Sequence, residues 1–187
     1  GWMESAFGNQ VSADVTIEEA IVPGLVPGPV DLQGSFVEDQ WLFNVDGPSV
    51  SGEVVWPSGT AMDRSTVVDL AHARLLTSPP ESDDAPIDAP NLQDPRQVRP
   101  LTVLIESLSW GELALGEVRL ETHRTADGLE LELIDVAGPD LRLQARGRWV
   151  QAEDGEPRSL MTGRLSSRNF NQLVQATGYQ AGLRARQ

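Results

Sequence analysis

Polar and apolar side chains alternate one by one along most of this chain, and a period of two leaves few folds open. Residues 11–17 set Val11, Ala13, Val15 and Ile17 against Ser12, Asp14 and Thr16. Successive side chains of a strand point to opposite faces, so such a stretch has one greasy face and one wet face. The same pattern places Leu141, Leu143, Ala145, Gly147 and Trp149 on one face and Arg142, Gln144, Arg146 and Arg148 on the other. Further strands read at 31–37, 40–45, 50–56, 101–109, 112–123, 128–137, 140–150 and 158–166. The pairs Asp127-Gly128, Gly138-Pro139 and Asp154-Gly155 mark hairpin-short turns between the later ones. Parity slips near Gly116 and at Leu133-Ile134, where bulges are expected to bend the sheet. The reading is an antiparallel meander.

Two stretches depart from alternation. Residues 65–76 fit a strand or a helical stripe; they read as a strand, because β-rich neighbours need pairing partners. In that strand Val68, Leu70, His72 and Arg74 would share one face, with Val67, Asp69, Ala71, Ala73 and Leu75 on the other. Near the C-terminus, Ser166-Ser167 can cap a helix of about ten residues with Phe170, Leu173 and Val174 as its apolar stripe and Gly178 as its stop. Residues 77–100 carry prolines at 79, 80, 86, 90, 95 and 100 among dense acids and no aromatics. A segment of that kind buries too little apolar surface to offset its ordering entropy and reads as a loop or linker. The expected organisation is a β-rich segment over 1–76, the linker over 77–100, and a meander plus helix over 101–187 that continues the first segment's sheet. The opening Gly-Trp-Met suggests a piece of something longer.

Composition narrows the function. The 187 residues hold 28 acids and 14 bases, a net charge of −14, which argues against nucleic acid. Residues 1–94 carry 16 acids and 2 arginines, whereas residues 95–187 carry 12 of each. Cysteine is absent, which excludes disulfides and thiolate metal sites, and only His72 and His123 could supply imidazole. No run of apolar residues is long enough to span a bilayer. No nucleophile elbow, phosphate loop or zinc-protease motif is present, and no cofactor or metal is expected. Glu81, Asp83, Asp84 and Asp88 lack the ordered spacing of a calcium loop and read as solvated linker. Glu130 and Glu132 could be imagined as a glycosidase pair, but acids alternating with leucine are the ordinary wet face of a sheet. Trp2, Trp41, Trp56, Trp110 and Trp149 could stack on sugars, or serve as core filler or edge cover.

The informative feature is the greasy face of the second half. Its candidate wall is Leu101, Val103, Ile105, Leu113, Leu115, Val118, Leu120, Leu129, Leu131, Leu133, Leu141 and Leu143. A sheet with such a face must cover it. Either a second sheet does so, giving a β-sandwich scaffold or partner-binding module, or the sheet stays open as a gutter for acyl chains.

One order of short motifs bears on that choice. Asp94-Pro95-Arg96 leads in and Pro100 precedes a strand. Leu115-Gly116 opens the next strand, then come Gly128-Leu129-Glu130-Leu131 and Gly147-Arg148-Trp149, and Gly178-Tyr179 closes a short helix. Over about 85 residues this resembles the C-terminal region of the AsmA-like envelope proteins, specifically the YhdP-like branch; residues 1–93 match less distinctly. The resemblance implies an all-β, mostly antiparallel, curved and open taco-shaped sheet. It implies a non-enzymatic segment of a periplasmic conduit that carries phospholipids between inner and outer membranes. The expected partners are phospholipids, neighbouring β segments of a longer protein, and the inner membrane through a helix that this sequence lacks.

Overall fold

The computed structural model describes residues 11–20, 25–59, 62–76, 94–152 and 155–168. They form ten strands in one sheet: β1 (Val11–Ala20), β2 (Gly28–Val37), β3 (Gln40–Asp46), β4 (Val50–Pro57), β5 (Thr66–Leu75), β6 (Leu101–Trp110), β7 (Leu113–Arg124), β8 (Gly128–Ala137), β9 (Leu141–Gln151) and β10 (Pro157–Ser167). The strands lie side by side in sequence order. The sheet is not closed, since β1 and β10 each pair on one side only. With neighbours about 4.8 Å apart, it extends roughly 43 Å from edge to edge. The expectation of an all-β, mostly antiparallel, open sheet holds.

Every neighbouring pair is antiparallel except β5 and β6, which run parallel with Thr66 beside Leu101 and Leu75 beside Trp110. A parallel pair needs a connection that returns the chain to the starting end. The proline- and acid-rich stretch after Leu76 occupies that place in the chain; residues 77–93 lie outside the described part. Where description resumes, Pro95–Gln97 make one 3-10 turn capped by Asp94, whose carboxylate accepts from the Arg96 backbone N–H at 3.0 Å. Two further bonds, from Arg96 Nε at 2.9 Å and Nη2 at 2.8 Å, hold that carboxyl down at about 2. The turn packs against β8 and β9, and Pro95 is fully buried there beside Gly128. The Asp-Pro-Arg motif is therefore a clip that seats the chain on the far strands before it enters β6.

The β2–β3 hairpin has a turn that sequence signals miss. Glu38 and Asp39 both adopt positive φ, at 50° and 62°, the backbone of a type I′ turn that usually recruits asparagine or glycine. Neighbours hold it in place. The Asp39 carbonyl accepts from Ser58 N at 2.9 Å, Ser58 Oγ at 2.8 Å and Arg64 Nη1 at 3.4 Å.

Two readings need correction. Ser166 and Ser167, read as a helix cap, belong to β10, where they pair with Arg142 and Leu141. The ladder hydrogen bonds of β9 outcompete a cap; the remainder of the expected helix lies outside the described residues. In β5 the faces do not alternate through to the end. Ser51 pairs with His72 and Gly52 with Leu70, so Ala71 is an extra residue. Past this bulge Ala73 and Leu75 join Val68 and Leu70, rather than opposing them.

Candidate functional site: the apolar face

Residues paired across a ladder share a face, so the registers assign every strand. Starting from β6, Val103 lies beside Leu120 and Ile105 beside Val118. Those two continue to Ile134 and Val136 on β8, and Ile134 and Val136 to Ala145 and Leu143 on β9. In the other direction Val103 and Ile105 lie beside Val68 and Leu70 of β5, and Val68 leads to Val54 and Phe43. Phe43 leads through Gly34 to Ala13 on β1. One apolar face thus runs through all ten strands.

Of the twelve candidate wall residues, Leu101, Val103, Ile105, Leu113, Leu115, Val118, Leu120, Leu129, Leu131, Leu141 and Leu143 fall on this face. Leu133 does not. It pairs with Glu121 on the polar side, because the register slips between Glu121 and Thr122 and places an extra residue in β8. Ile134 occupies the inward place instead, beside Leu120. The expected slip at Leu133-Ile134 is there; its consequence for Leu133 is not visible from parity alone. The slip at Gly116 works the other way. Its φ of 81° kinks β7 so that Leu115 returns to the same face as Val118. A Cβ at Gly116 would sit 2.3 Å from the Ala137 carbonyl oxygen and 2.6 Å from Gly138 Cα, so only glycine fits.

Packing on this face is loose. Leu115, Val136 and Leu141 form its tightest cluster, backed by Leu108, Trp110, Leu113, Val118, Ile134 and Leu143. Elsewhere, among the described hydrophobic residues, only Leu70, Ala73 and Leu129 are buried. Val15, Trp56, Met161 and Leu165 are each about half exposed on the same face. Among the described residues each strand touches its ladder neighbours, and what packs on beyond the ladder includes the turn at Pro95–Gln97 and the segment before β2, where Leu25 bridges Leu75 and Val26 N donates to the Arg74 carbonyl at 3.0 Å. The described part therefore has one sheet and no second one packed on it. Contiguous exposed apolar surface of this extent is uncommon on a soluble monomer and marks a binding surface.

The face is wider than the sequence list. It includes Leu32, Phe36, Phe43 and Val45 in the first half, and Trp41, Trp56, Trp110 and Trp149 all sit on it. Trp41 stacks on Phe43 with ring centroids 5.7 Å apart and tilts against Phe36 at 5.3 Å. The tryptophans are thus parts of a greasy surface, spread over strands rather than gathered as a platform; Trp2 lies outside the described residues. The missing signal was the alternation at 31–37 and 40–45, which carries the same period but fewer leucines.

The opposite face is polar and graded in sign. On β1–β4 it carries Asp14, Asp31, Asp46 and Glu53; on β9 and β10 it carries Arg142, Arg146, Arg148, Arg158 and Arg164. Glu130 and Glu132 lie here, as expected, on either side of His123. His123 Nε2 is 3.2 Å from Glu130 Oε2 and Nδ1 is 3.1 Å from Glu132 Oε1. Both carboxylates are more than half exposed, at 54% and 57%, and with Arg146, Arg148, Leu160 and Thr162 they line a shallow, open hollow rather than the enclosed cleft that glycoside chemistry requires. His72 is structural. Its Nε2–H donates to the Gly47 carbonyl at 3.2 Å, which leaves Nδ1 to accept from the Ser51 hydroxyl at 2.8 Å. Among the described residues no group of histidines and acids is arranged to hold a metal ion. Nor is any helix there long and apolar enough to cross a membrane.

Comparison with known proteins gives one match. A family model described as YhdP protein matches residues 4–187. No curated protein and no solved structure matches the chain.

Proposed function

The chain belongs to the YhdP family of envelope proteins, and from that premise we propose that its sheet is one segment of a periplasmic conduit for phospholipids. The observation that carries the reading is the apolar face, continuous over ten strands and uncovered by a second layer among the described residues. An acyl chain of about fifteen carbons gains on the order of 12 kcal/mol on leaving water, at about 0.8 kcal/mol per methylene. Valine, leucine, isoleucine and phenylalanine follow one another from strand to strand, so this gain is nearly level along the path. A tail can then pass from one strand to the next without a deep trap. Opposite it, the charged face keeps the outside of the sheet in water.

In this role the chain binds and releases lipid and makes or breaks no covalent bond, so it is not an enzyme. The unpaired outer sides of β1 and β10 are where neighbouring β segments of a longer protein would extend the same face in both directions. Anchorage in the inner membrane, and movement of lipid towards the outer one, belong to that longer protein.

The test is native mass spectrometry of the 187-residue chain purified from a Gram-negative host. Co-purified phospholipid, displaced by added fatty-acyl competitors, is the expected result. Lipid-free protein whose apolar face is taken up by a second polypeptide would instead make the sheet a partner-binding scaffold.

A further inference from the structure

On β2 through β10 the strand side chains of the apolar face are hydrocarbon, glycine or uncharged polar groups, with one charged exception. Arg124 ends β7 and pairs with Leu129, which in turn pairs with Trp149, both on the apolar face. Among the described residues its guanidinium has no carboxylate partner. Nη2 donates to the Arg96 carbonyl, whereas Nη1 is shut away from water and meets no hydrogen-bond acceptor. The next strand end on this face carries a second orphan, Gln151 Oε1. A cation at the border of a hydrocarbon surface, lacking an acid to neutralise it, costs stability unless something anionic arrives. Buried polar groups left unpaired in a native structure point to a role.

We propose that Arg124 receives the phosphate of a lipid whose tails lie on the neighbouring apolar strands. The rim of the sheet formed by the β7–β8 turn is then the head-group side of the path. This rests on the conduit reading and adds an orientation to it. Arginine suits the task, since it stays charged throughout, and turning its guanidinium off the Arg96 carbonyl would bring both fork nitrogens to phosphate oxygens. Trp149, two strands over, offers the half-polar ring that sits well where tails meet head group. The opposite end of the same face is closed by the Leu115, Val136 and Leu141 cluster with no cation on it. A lipid lying along the strands therefore has one end that attracts its phosphate and one that does not.

The experiment compares two soluble short-chain lipids on the full chain, dioctanoyl phosphatidylglycerol and dioctanoylglycerol, by displacement of a fluorescent acyl probe. They share tails and differ in the phosphate. The wild-type chain should bind the phospholipid roughly tenfold or more tightly, the scale of a charge-assisted hydrogen bond. R124Q should erase that preference and leave dioctanoylglycerol binding unchanged. Equal binding of both lipids to wild type, or a preference that survives R124Q, overturns the proposal and leaves the conduit reading standing. Loss of both lipids in R124Q makes Arg124 a support of the fold and overturns it too. If wild type binds neither lipid, the conduit reading falls with it. Inorganic phosphate competing as well as the phospholipid would give the site to free phosphate instead. Where R124Q does not fold, R124K is read: it keeps the charge but not the fork, so a several-fold loss of preference supports the assignment and no loss overturns it.

Discussion

Gly116 and Gly59 share a backbone φ of 81° but sit in different surroundings. That coincidence allows the packing of the apolar face to be weighed against backbone strain. Replacing either with alanine puts a Cβ into the left-handed region, at a cost of about 1–2 kcal/mol. Both substitutions recover about 0.4–1 kcal/mol by stiffening the unfolded chain. The net cost at Gly59, where a new Cβ meets nothing within 4 Å, is therefore the strain less that gain, about 1 kcal/mol. At Gly116 it meets the Ala137 carbonyl oxygen at 2.3 Å, Gly138 Cα at 2.6 Å and the Ala137 carbonyl carbon at 2.9 Å. All three are backbone atoms of β8 and its turn, which cannot rotate away as a side chain can. Overpacking of this kind adds about 1–3 kcal/mol. With a urea m-value of about 2 kcal/mol/M, G116A should unfold roughly 0.5–1.5 M earlier than G59A. The comparison is read from tryptophan fluorescence during urea titration. Coincident midpoints would refute the reasoning, because they would mean that the β7 kink is not held against β8 and that Leu115 is not turned inward by it.

Leu115→Ala should cost about 2–4 kcal/mol, since its cluster cannot collapse onto the gap, whereas Leu165→Ala, 46% exposed on the same face at the β10 edge, should cost under about 1 kcal/mol; matched chemical melts check the contrast. Asp94 titrates at about 2 when folded, below its ordinary 3.8, so its support is complete above pH 4 and is lost as pH falls through about 2. The melting temperatures of wild type and D94N should therefore converge between pH 4 and pH 2, and a constant gap over that range would contradict the clip at the start of β6. His72→Ala should loosen the β4–β5 bulge by about 1 kcal/mol through loss of the bonds to Ser51 and Gly47; faster amide exchange in Val50–Gly52 is the readout.

Much of the fold was legible because alternation survives wherever one face is wetted and the other is not. The strands at 113–124, 128–137 and 141–151 show this, each with acids or arginines along its wet face, whereas 101–110 carries Glu106 alone. What escaped was decided by contacts distant in sequence. The type I′ turn at Glu38-Asp39 has no turn residues of its own and is held by Ser58 and Arg64. The parallel pairing of β5 with β6 depends on a long return connection, which no local pattern announces. Parity alone groups the candidate residues on one face except at Leu133, which the bulge turns to the other side. The first half of the face is hard to see in the sequence because Phe36, Trp41 and Phe43 belong to different strands and only the registers bring them together. Arg124 could not be told from the other arginines by sequence, since its distinction is which face it joins.

Leu131 and Leu133 supply the most direct test of the central claim. They are two residues apart on β8, similar in size, and lie on opposite faces because of the bulge between them. A photoreactive amino acid is placed at one position or the other in the chain expressed in a Gram-negative periplasm, and lipid adducts are counted by mass spectrometry after illumination. The account predicts phospholipid adducts from position 131 and few or none from position 133. Equal labelling at both positions, or labelling from 133 alone, would contradict it.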